Sequence, residues 1–173
     1  MIETLSEPRL TASDDAEIAT LLGACFPTDY GGRSFYHQRP HLRLVWRDGR
    51  VLSHLSLYYR AIRLGPDLVD IVGLGDVATV PEARGGGMAT AMMAHAIQTA
   101  QDSAACFMIL FGARGLYERA GFASAANPYV HVSMAGARTG HVAAANSPFL
   151  MVRRLRDTLW PERAEVDFLG PLF

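Results

Sequence analysis

Between Val77 and Thr90 the chain reads Val77-Ala78-Thr79-Val80-Pro81-Glu82-Ala83-Arg84-Gly85-Gly86-Gly87-Met88-Ala89-Thr90: a β-branched strand, three consecutive glycines, and the start of a run of helix formers. That order favours an anion. Glycines let backbone N–H groups crowd around one point, and a helix that follows aims its unpaired amides and the positive end of its dipole at the same point. The dipole alone stabilises an anion by roughly 0.3 to 2 kcal/mol, and converging amides add to that. Phosphate binding is the chemistry these residue types can perform at this spacing.

Two phosphate-binding patterns do not fit. A P-loop ends in Gly-Lys-Ser/Thr, whereas Gly87 is followed by Met88 and the chain has no lysine. Gly73-Leu74-Gly75-Asp76-Val77-Ala78 can be drawn as a dinucleotide fingerprint, but such a fingerprint opens a helix, and Val77 to Pro81 is β-branched and ends in proline. What remains is Arg84-x-x-Gly87-x-Ala89 at a strand-to-helix junction. It resembles the pyrophosphate loop of the GNAT superfamily, the acyl-CoA N-acyltransferases, in which the first position is Arg or Gln, the fourth Gly and the sixth Gly or Ala. Pro81-Glu82 before it, and a helix expected from Met88 to about Gln101, follow the family's order of elements. Downstream, Leu116-Tyr117-Glu118-Arg119-Ala120-Gly121-Phe122 resembles the second GNAT signature, a short helix that carries a tyrosine and ends at Gly-Phe. The two signatures together cover about Asp76 to Phe122.

The resemblance implies a cofactor site. Acyl-CoA, most simply acetyl-CoA, is expected to insert in a V between the strand ending at Val80 and the strand near Ala104. Val77, Ala78 and Thr79 would line it, with the Val77 amide as oxyanion donor and the Thr79 amide on the pantetheine arm. Arg84, Gly85, Gly86, Gly87, Met88, Ala89 and Thr90 would hold the pyrophosphate. Tyr117 stands where the family keeps a tyrosine that protonates the leaving thiolate. An ordinary tyrosine pKa of about 10 keeps it protonated at neutral pH, and a positioned acid contributes roughly 10² to 10⁴ in rate. The plainer alternative is a core tyrosine packed beside Leu116 and Phe122. One position departs from the family: the asparagine often found seven residues before the tyrosine is Leu110 here.

An amine of pKa near 10 must lose a proton before it attacks, a deficit of about 4 kcal/mol at pH 7. In several family members the base projects two and four residues before the Val77 equivalent, positions that share one face of a strand. Here they are Gly75 and Gly73, which leaves volume on the acceptor side and no side chain to act. Asp76 is the adjacent carboxylate, but alternation points it to the opposite face unless a bulge intervenes. His54 reads as a satisfied strand histidine. Some relatives in the aminoglycoside-modifying branch use a terminal carboxylate, and the apolar tail Asp167-Phe168-Leu169-Gly170-Pro171-Leu172-Phe173 reads as packed, which makes Phe173 a candidate base. The acceptor itself is expected to meet Gly73, Gly75 and the segment from Phe26 to Pro40, where Asp29, Tyr30 and Tyr36 offer acidic and aromatic contacts to a cation.

These residues need a scaffold. Pro8 to Ala12 reads as a first strand, after which Asp14, with Glu17 three residues on, can cap a helix to about Cys25. His41 to Arg47 and Val51 to Leu64 form a hairpin across Asp48-Gly49, and Leu68 to Val80 follows the Gly65-Pro66-Asp67 turn as a third antiparallel strand. Ala104 to Phe111 is an apolar run of buried-strand length, with further strands near Tyr129 to Met134 and Phe149 to Val152. The expected fold class is α/β with an α+β mixed sheet: a GNAT fold of six to seven mostly antiparallel strands, splayed at the cofactor site, with helices on both faces, in one domain over residues 1–173.

Composition bounds the rest. A chain of 173 residues can bury roughly 70 % of its unfolded surface, and 50 % hydrophobic with 19 % charged residues describes a globular protein. No window approaches the 18 or so apolar residues of a membrane span and Met1-Ile2-Glu3 starts no signal peptide, so a cytoplasmic location without membrane association is expected. A net charge of −1 argues against a nucleic-acid partner. Cys25 and Cys106 lack metal or redox spacing, Pro40 breaks the i, i+4 pair His37 and His41, and no Gly-x-Ser-x-Gly elbow occurs, so neither a metal nor a serine nucleophile is expected. The expected reaction is transfer of an acetyl group from acetyl-CoA to a primary amine, on a small molecule or a peptide, by direct attack in a ternary complex, with a lean toward the aminoglycoside N-acetyltransferase-like branch. A non-catalytic acyl-CoA sensor and an enzyme using a longer acyl donor, as in nodulation-type acyltransferases, stay open. Exposed strands after Tyr129 make a homodimer reasonable.

Overall fold

The structure is a computed structural model that describes residues 1–26, 30–112 and 115–173. Strand β1 (Ile2–Ser6) opens the chain, and Glu7–Arg9 turns as a 3-10 helix into α1 (Ala12–Cys25). The first strand therefore precedes Pro8 rather than starting there, because Pro8 cannot donate to a ladder and sits instead in the helical turn. Thr11, not Asp14, caps α1: its hydroxyl accepts from the Asp14 amide at 3.1 Å, while the Asp14 carboxylate accepts from the Thr11 amide at 3.3 Å. Glu17 is thereby released from capping and accepts from the Val51 amide and the Arg47 guanidinium.

Three long strands form the centre. Strands β2 (Leu42–Asp48), β3 (Arg50–Leu64) and β4 (Asp67–Thr79) run antiparallel, reversed at Gly49 and Gly65, whose positive φ values of 67° and 58° suit glycine. Helix α2 (Met88–Gln101) crosses to β5 (Phe107–Phe111), which lies parallel to β4. After the short α3 (Gly115–Arg119) come β6 (Ala123–Ser124), the hairpin of β7 (Tyr129–Ala135) and β8 (Arg138–Ala145), β9 (Leu150–Arg154) and β10 (Val166–Asp167). One mixed sheet results, ordered β6-β9-β5-β4-β3-β10-β7-β8, with β2 and β1 added beside β3. Among the described residues it holds ten strands where the apolar spacing picks out six or seven; the additions are two-residue pairings and an exposed strand, β8, that carry little periodic signal.

Alternation along the strands feeds two faces. Leu44 joins Met92, Met93, Ala96 and Ala100 of α2 on one, while its neighbour Val45 joins Ile18, Leu21 and Leu22 of α1 on the other. Helices thus cover both faces of the sheet. Among the described residues no helix is long and apolar enough to cross a membrane.

Two irregularities in β4 shape the region where it parts from β5. Its parallel register with β5 ends at Leu74↔Leu110, so from Gly75 to Thr79 the two strands part. On the β3 side, His54 pairs with Ala78 and Ser56 with Gly75, so Leu55 alone opposes both Asp76 and Val77. That is a β-bulge, and its first residue, Asp76, has φ +54° in the left-handed region that Asp tolerates better than most side chains.

Candidate active site

The parted strands open a cleft of about 490 Å³ lined by Cys25, Phe26, Val77, Ala78, Thr79 and Ala83, by the loop residues Arg84, Gly85 and Gly87, by Met88, Ala89 and Thr90 at the start of α2, and by Gly115, Leu116 and Arg119. Nine of the ten residues that sequence reasoning placed around the cofactor line it; Gly86 lies in the same loop between Gly85 and Gly87. Gly85 and Gly87 have φ of +82° and +79°, and Gly87 is the residue immediately before α2. Gly87 supplies no side-chain cap, so the first amides of α2 meet the cleft with only its backbone turn in front of them. Arg84 Nε donates to the Thr79 carbonyl at 3.0 Å, which ties the guanidinium to the end of the strand it follows.

A second cavity, of about 220 Å³, adjoins the first and shares Phe26 and Val77 with it. Leu74, Gly75, Asp76 and Val77 all line it, which strict strand alternation forbids and the bulge permits. Tyr30, Tyr36, Phe111, Gly112, Tyr117 and Phe173 complete the wall. Tyr117 is buried, and its ring fills the place where a Cβ on Gly112 would stand, 2.5 Å away. Three chain segments remote in sequence are therefore brought together: the aromatic stretch after α1, the bulge of β4 and the C-terminal tail. Asp29 lies outside the described residues. Tyr58, Phe111 and Gly112 were not singled out by sequence reasoning, since nothing local distinguishes them from core residues.

Asp76 is held from two sides. Tyr30 donates to Oδ1 at 2.5 Å and Tyr58 to Oδ2 at 2.8 Å, all within the protein interior. Burial and the neighbouring carboxylate push the Tyr58 hydroxyl far up, so it stays a donor. Behind the bulge, His54 donates from Nδ1 to the Asp76 carbonyl oxygen at 3.0 Å, and its Nε2 faces Arg43 Nη1 at 3.4 Å. Burial pushes the His54 pKa down to about 4, so the ring is neutral and structural. Arg43, fully buried, is satisfied by both carboxylate oxygens of Glu7 and by Ser34.

The tail is fastened along its length. Arg60 donates to the carbonyls of Pro171 (2.7 Å) and Phe168 (2.5 Å), His37 Nδ1 donates to the Leu172 carbonyl at 3.1 Å, and the Val132 amide donates to Gly170. Phe173 then stacks near Tyr58, with centroids 5.8 Å apart, and reaches Phe111 and Phe168. Its ring carbons lie 2.6 Å from where a Gly73 Cβ would be, and its main-chain carbonyl carbon 3.1 Å from that of Gly75. The volume expected from the two glycines is thus occupied by Phe173, and Gly73 does not border the cavity. Among the described residues no group of three or more His, Cys, Asp or Glu side chains is close enough to hold a metal ion, and both cysteines are free.

The arrangement defines a class: a GNAT-type sheet that splits beside a glycine loop and the N-terminus of a helix. The sequence matches the acetyltransferase (GNAT) domain family over residues 8–125, and the chain belongs to that family of acyltransferases. Among solved structures, the GNAT family N-acetyltransferase YhbS from Escherichia coli, in complex with CoA, aligns with a TM-score of 0.66 at 18 % identity, covering 96 % of this chain and 88 % of that one. A GNAT family acetyltransferase from Brucella melitensis, in complex with acetyl-CoA, aligns with a TM-score of 0.61 at 19 % identity over 96 % of this chain and 94 % of that one. Escherichia coli ElaA gives a TM-score of 0.58 at 18 % identity over 89 % and 99 %. These likenesses establish the fold. A search of curated protein sequences finds no significant match.

Proposed function

We propose that this protein is an N-acetyltransferase that moves an acetyl group from acetyl-CoA to a primary amine by direct attack in a ternary complex. The observation that carries the reading is the meeting of two cavities at Val77, one facing the Arg84 loop and the other lined by Tyr117, Asp76 and aromatic rings. The first has a volume within the range of roughly 300 to 1,000 Å³ typical of small-molecule sites. Acetyl-CoA, when bound, supplies the activated acyl thioester. The amides from Gly85 to Thr90 hold the diphosphate with Arg84, as the left-handed glycines and the start of α2 favour. In this reading Ala78 and Thr79 border the pantetheine arm, and the Val77 amide donates to the oxygen on which charge develops.

Tyr117 holds the proton that the departing sulfur requires. Its place in the wall of the acceptor cavity, beside Val77, supports that role. Gly73 and Gly75 offer no base, and the carboxyl group of Phe173, against Gly75, is assigned to accept the amine's proton. Tyr30, Tyr36 and Gly75 border the acceptor. The two CoA-bound neighbours support the donor, and the family supports an amine as acceptor.

Calorimetry with CoA followed by acetyl transfer to a panel of amines tests the reading. Tyr117→Phe is expected to keep CoA affinity and lose roughly 10² to 10⁴ in turnover. Failure of CoA to bind, or full turnover by Tyr117→Phe, refutes it. Tight CoA binding without transfer to any amine identifies a sensor instead, and a donor-length series exposes a preference for longer acyl chains. Unchanged turnover after removal of the last three residues rejects Phe173 as base.

A further inference from the structure

The acceptor cavity contains one charge that the reaction as proposed does not use. Asp76 is the single charged side chain lining it among the described residues, and six aromatic rings surround it: Phe26, Tyr30, Tyr36, Phe111, Tyr117 and Phe173. The bulge places this carboxylate next to Val77, and the left-handed backbone of Asp76 is an uncommon conformation for a non-glycine residue. Tyr30 and Tyr58 each donate one hydrogen bond, to different oxygens, which fixes the carboxylate in orientation. A carboxylate has about four acceptor sites, so two such bonds leave capacity for a further donor. Its charge is not cancelled from behind: His54 donates to the Asp76 backbone rather than to the carboxylate, and Arg43 is bound to Glu7 and Ser34.

We infer that Asp76 is the anchor for the ammonium group of the acceptor, and that the acceptor is a compact amine with one cationic head and an apolar or aromatic body. A fixed carboxylate beneath aromatic faces is the environment that selects an alkylammonium over a neutral group, through a charged hydrogen bond and cation–π attraction. Size sets the second half of the inference. The cavity of about 220 Å³ lies below the roughly 300 to 1,000 Å³ typical of small-molecule sites. An aminoglycoside or another multi-ring polycation would leave most of its body outside, with Asp76 the single charged side chain among the described lining residues to answer several charges. This inference rests on the acyltransferase reading and names the substrate class of the same site.

The test uses the full chain saturated with CoA. Binding of n-butylamine, benzylamine and phenethylamine is measured by calorimetry against n-butanol, benzyl alcohol and kanamycin, and turnover of the same amines is followed with acetyl-CoA. The expected result is a preference of at least about tenfold for each amine over its alcohol, as a charged hydrogen bond gives, with kanamycin weaker than benzylamine. Asp76→Asn should raise KM for the amines about 10- to 100-fold while CoA affinity stays as in the parent protein. Equal binding of amine and alcohol, tighter binding of kanamycin, absence of binding by every compact amine, or an unaltered preference in Asp76→Asn overturns the inference. Should Asp76→Asn not fold, the amine-to-alcohol comparison on the unsubstituted protein decides by itself. Failure of the underlying reading has a different signature: CoA does not bind, or CoA and the amines bind with the stated preference and no acetyl group is transferred.

Discussion

Gly73 and Phe173 compete for one space, and a double-mutant cycle measures that competition. Gly73 is buried mid-strand with no left-handed backbone requirement, so only packing forbids a side chain. An added Cβ would stand 2.6 Å from two ring carbons of Phe173, about 1 Å inside an ordinary carbon contact. Either the ring stays and the overlap costs about 1 to 3 kcal/mol, or the ring leaves and the protein forfeits its burial, roughly 1.5 to 3 kcal/mol. Both routes converge on about 2 kcal/mol for Gly73→Ala, a fall in Tm of about 4 to 8 °C for a chain of this length. With Phe173→Ala already made, the new methyl enters vacated space, and Gly73→Ala should cost nothing or stabilise by a few tenths of a kcal/mol, as a strained glycine replacement no longer applies. Thermal and denaturant unfolding of the four proteins gives the coupling term directly. Equal costs of Gly73→Ala in the two backgrounds would show that the ring does not occupy the place described, and the account of the missing strand base would fall with it.

Three further outcomes follow from the same geometry. Gly87→Ala meets no atom within 4 Å but forces a methyl into the left-handed region, so it should cost about 1 to 2 kcal/mol by unfolding and weaken CoA binding by calorimetry. Glu7→Ala strands the fully buried Arg43 and should cost about 3 to 5 kcal/mol in a denaturant titration. Burial by itself raises the Glu7 pKa, but hydrogen bonds from Arg43 and Arg39 outweigh it and hold the carboxyl below its ordinary 4.5; the stability it contributes is complete above 4.5 and is lost as pH falls through the lower folded value. His54 behaves similarly in sign: desolvation lowers it from 6.5 to about 4, the unfolded chain binds the proton first, and stability falls as pH drops from 6.5 toward 4 by on the order of 3 kcal/mol. His54→Gln should flatten that part of the stability profile, and a slope unchanged by the substitution would contradict the buried neutral ring.

Much of the scaffold is legible from local rules. Helix α2 begins and ends where glycine punctuation and helix formers place it, at Met88–Gln101, and the hairpin of β2 and β3 turns at Gly49 as its sequence demands. The cleft residues from Val77 to Thr90 were legible for the same reason, since a strand, a glycine turn and a helix start are contiguous in sequence. What escaped is what depends on distant partners. The two-residue strands β6 and β10 exist because neighbouring strands receive them, and β8 carries mostly exposed residues with no apolar alternation to read. The first strand was misplaced because Ile2–Ser6 is half-buried on both sides, without the alternation that marks an edge strand, while Thr11 preceded the expected cap by three residues.

The bulge at Asp76 belongs to this second kind, and it changes what the two glycines mean. On a regular strand Gly73, Gly75 and Val77 share a face and Asp76 turns away, so the absence of side chains at Gly73 and Gly75 reads as the loss of a catalytic group. In the folded chain the same two positions are the seat of Phe173: a Cβ at Gly73 would fall on its ring, and one at Gly75 would press against its terminal carboxyl carbon and the Tyr58 ring. The carboxylate that a regular strand would hide is instead delivered to the cavity by one extra residue between the His54 and Ser56 pairings. A bulge and a tail together form the cavity wall, and under the proposed function the Asp76 carboxylate stands beside Val77, where the amine would arrive for transfer.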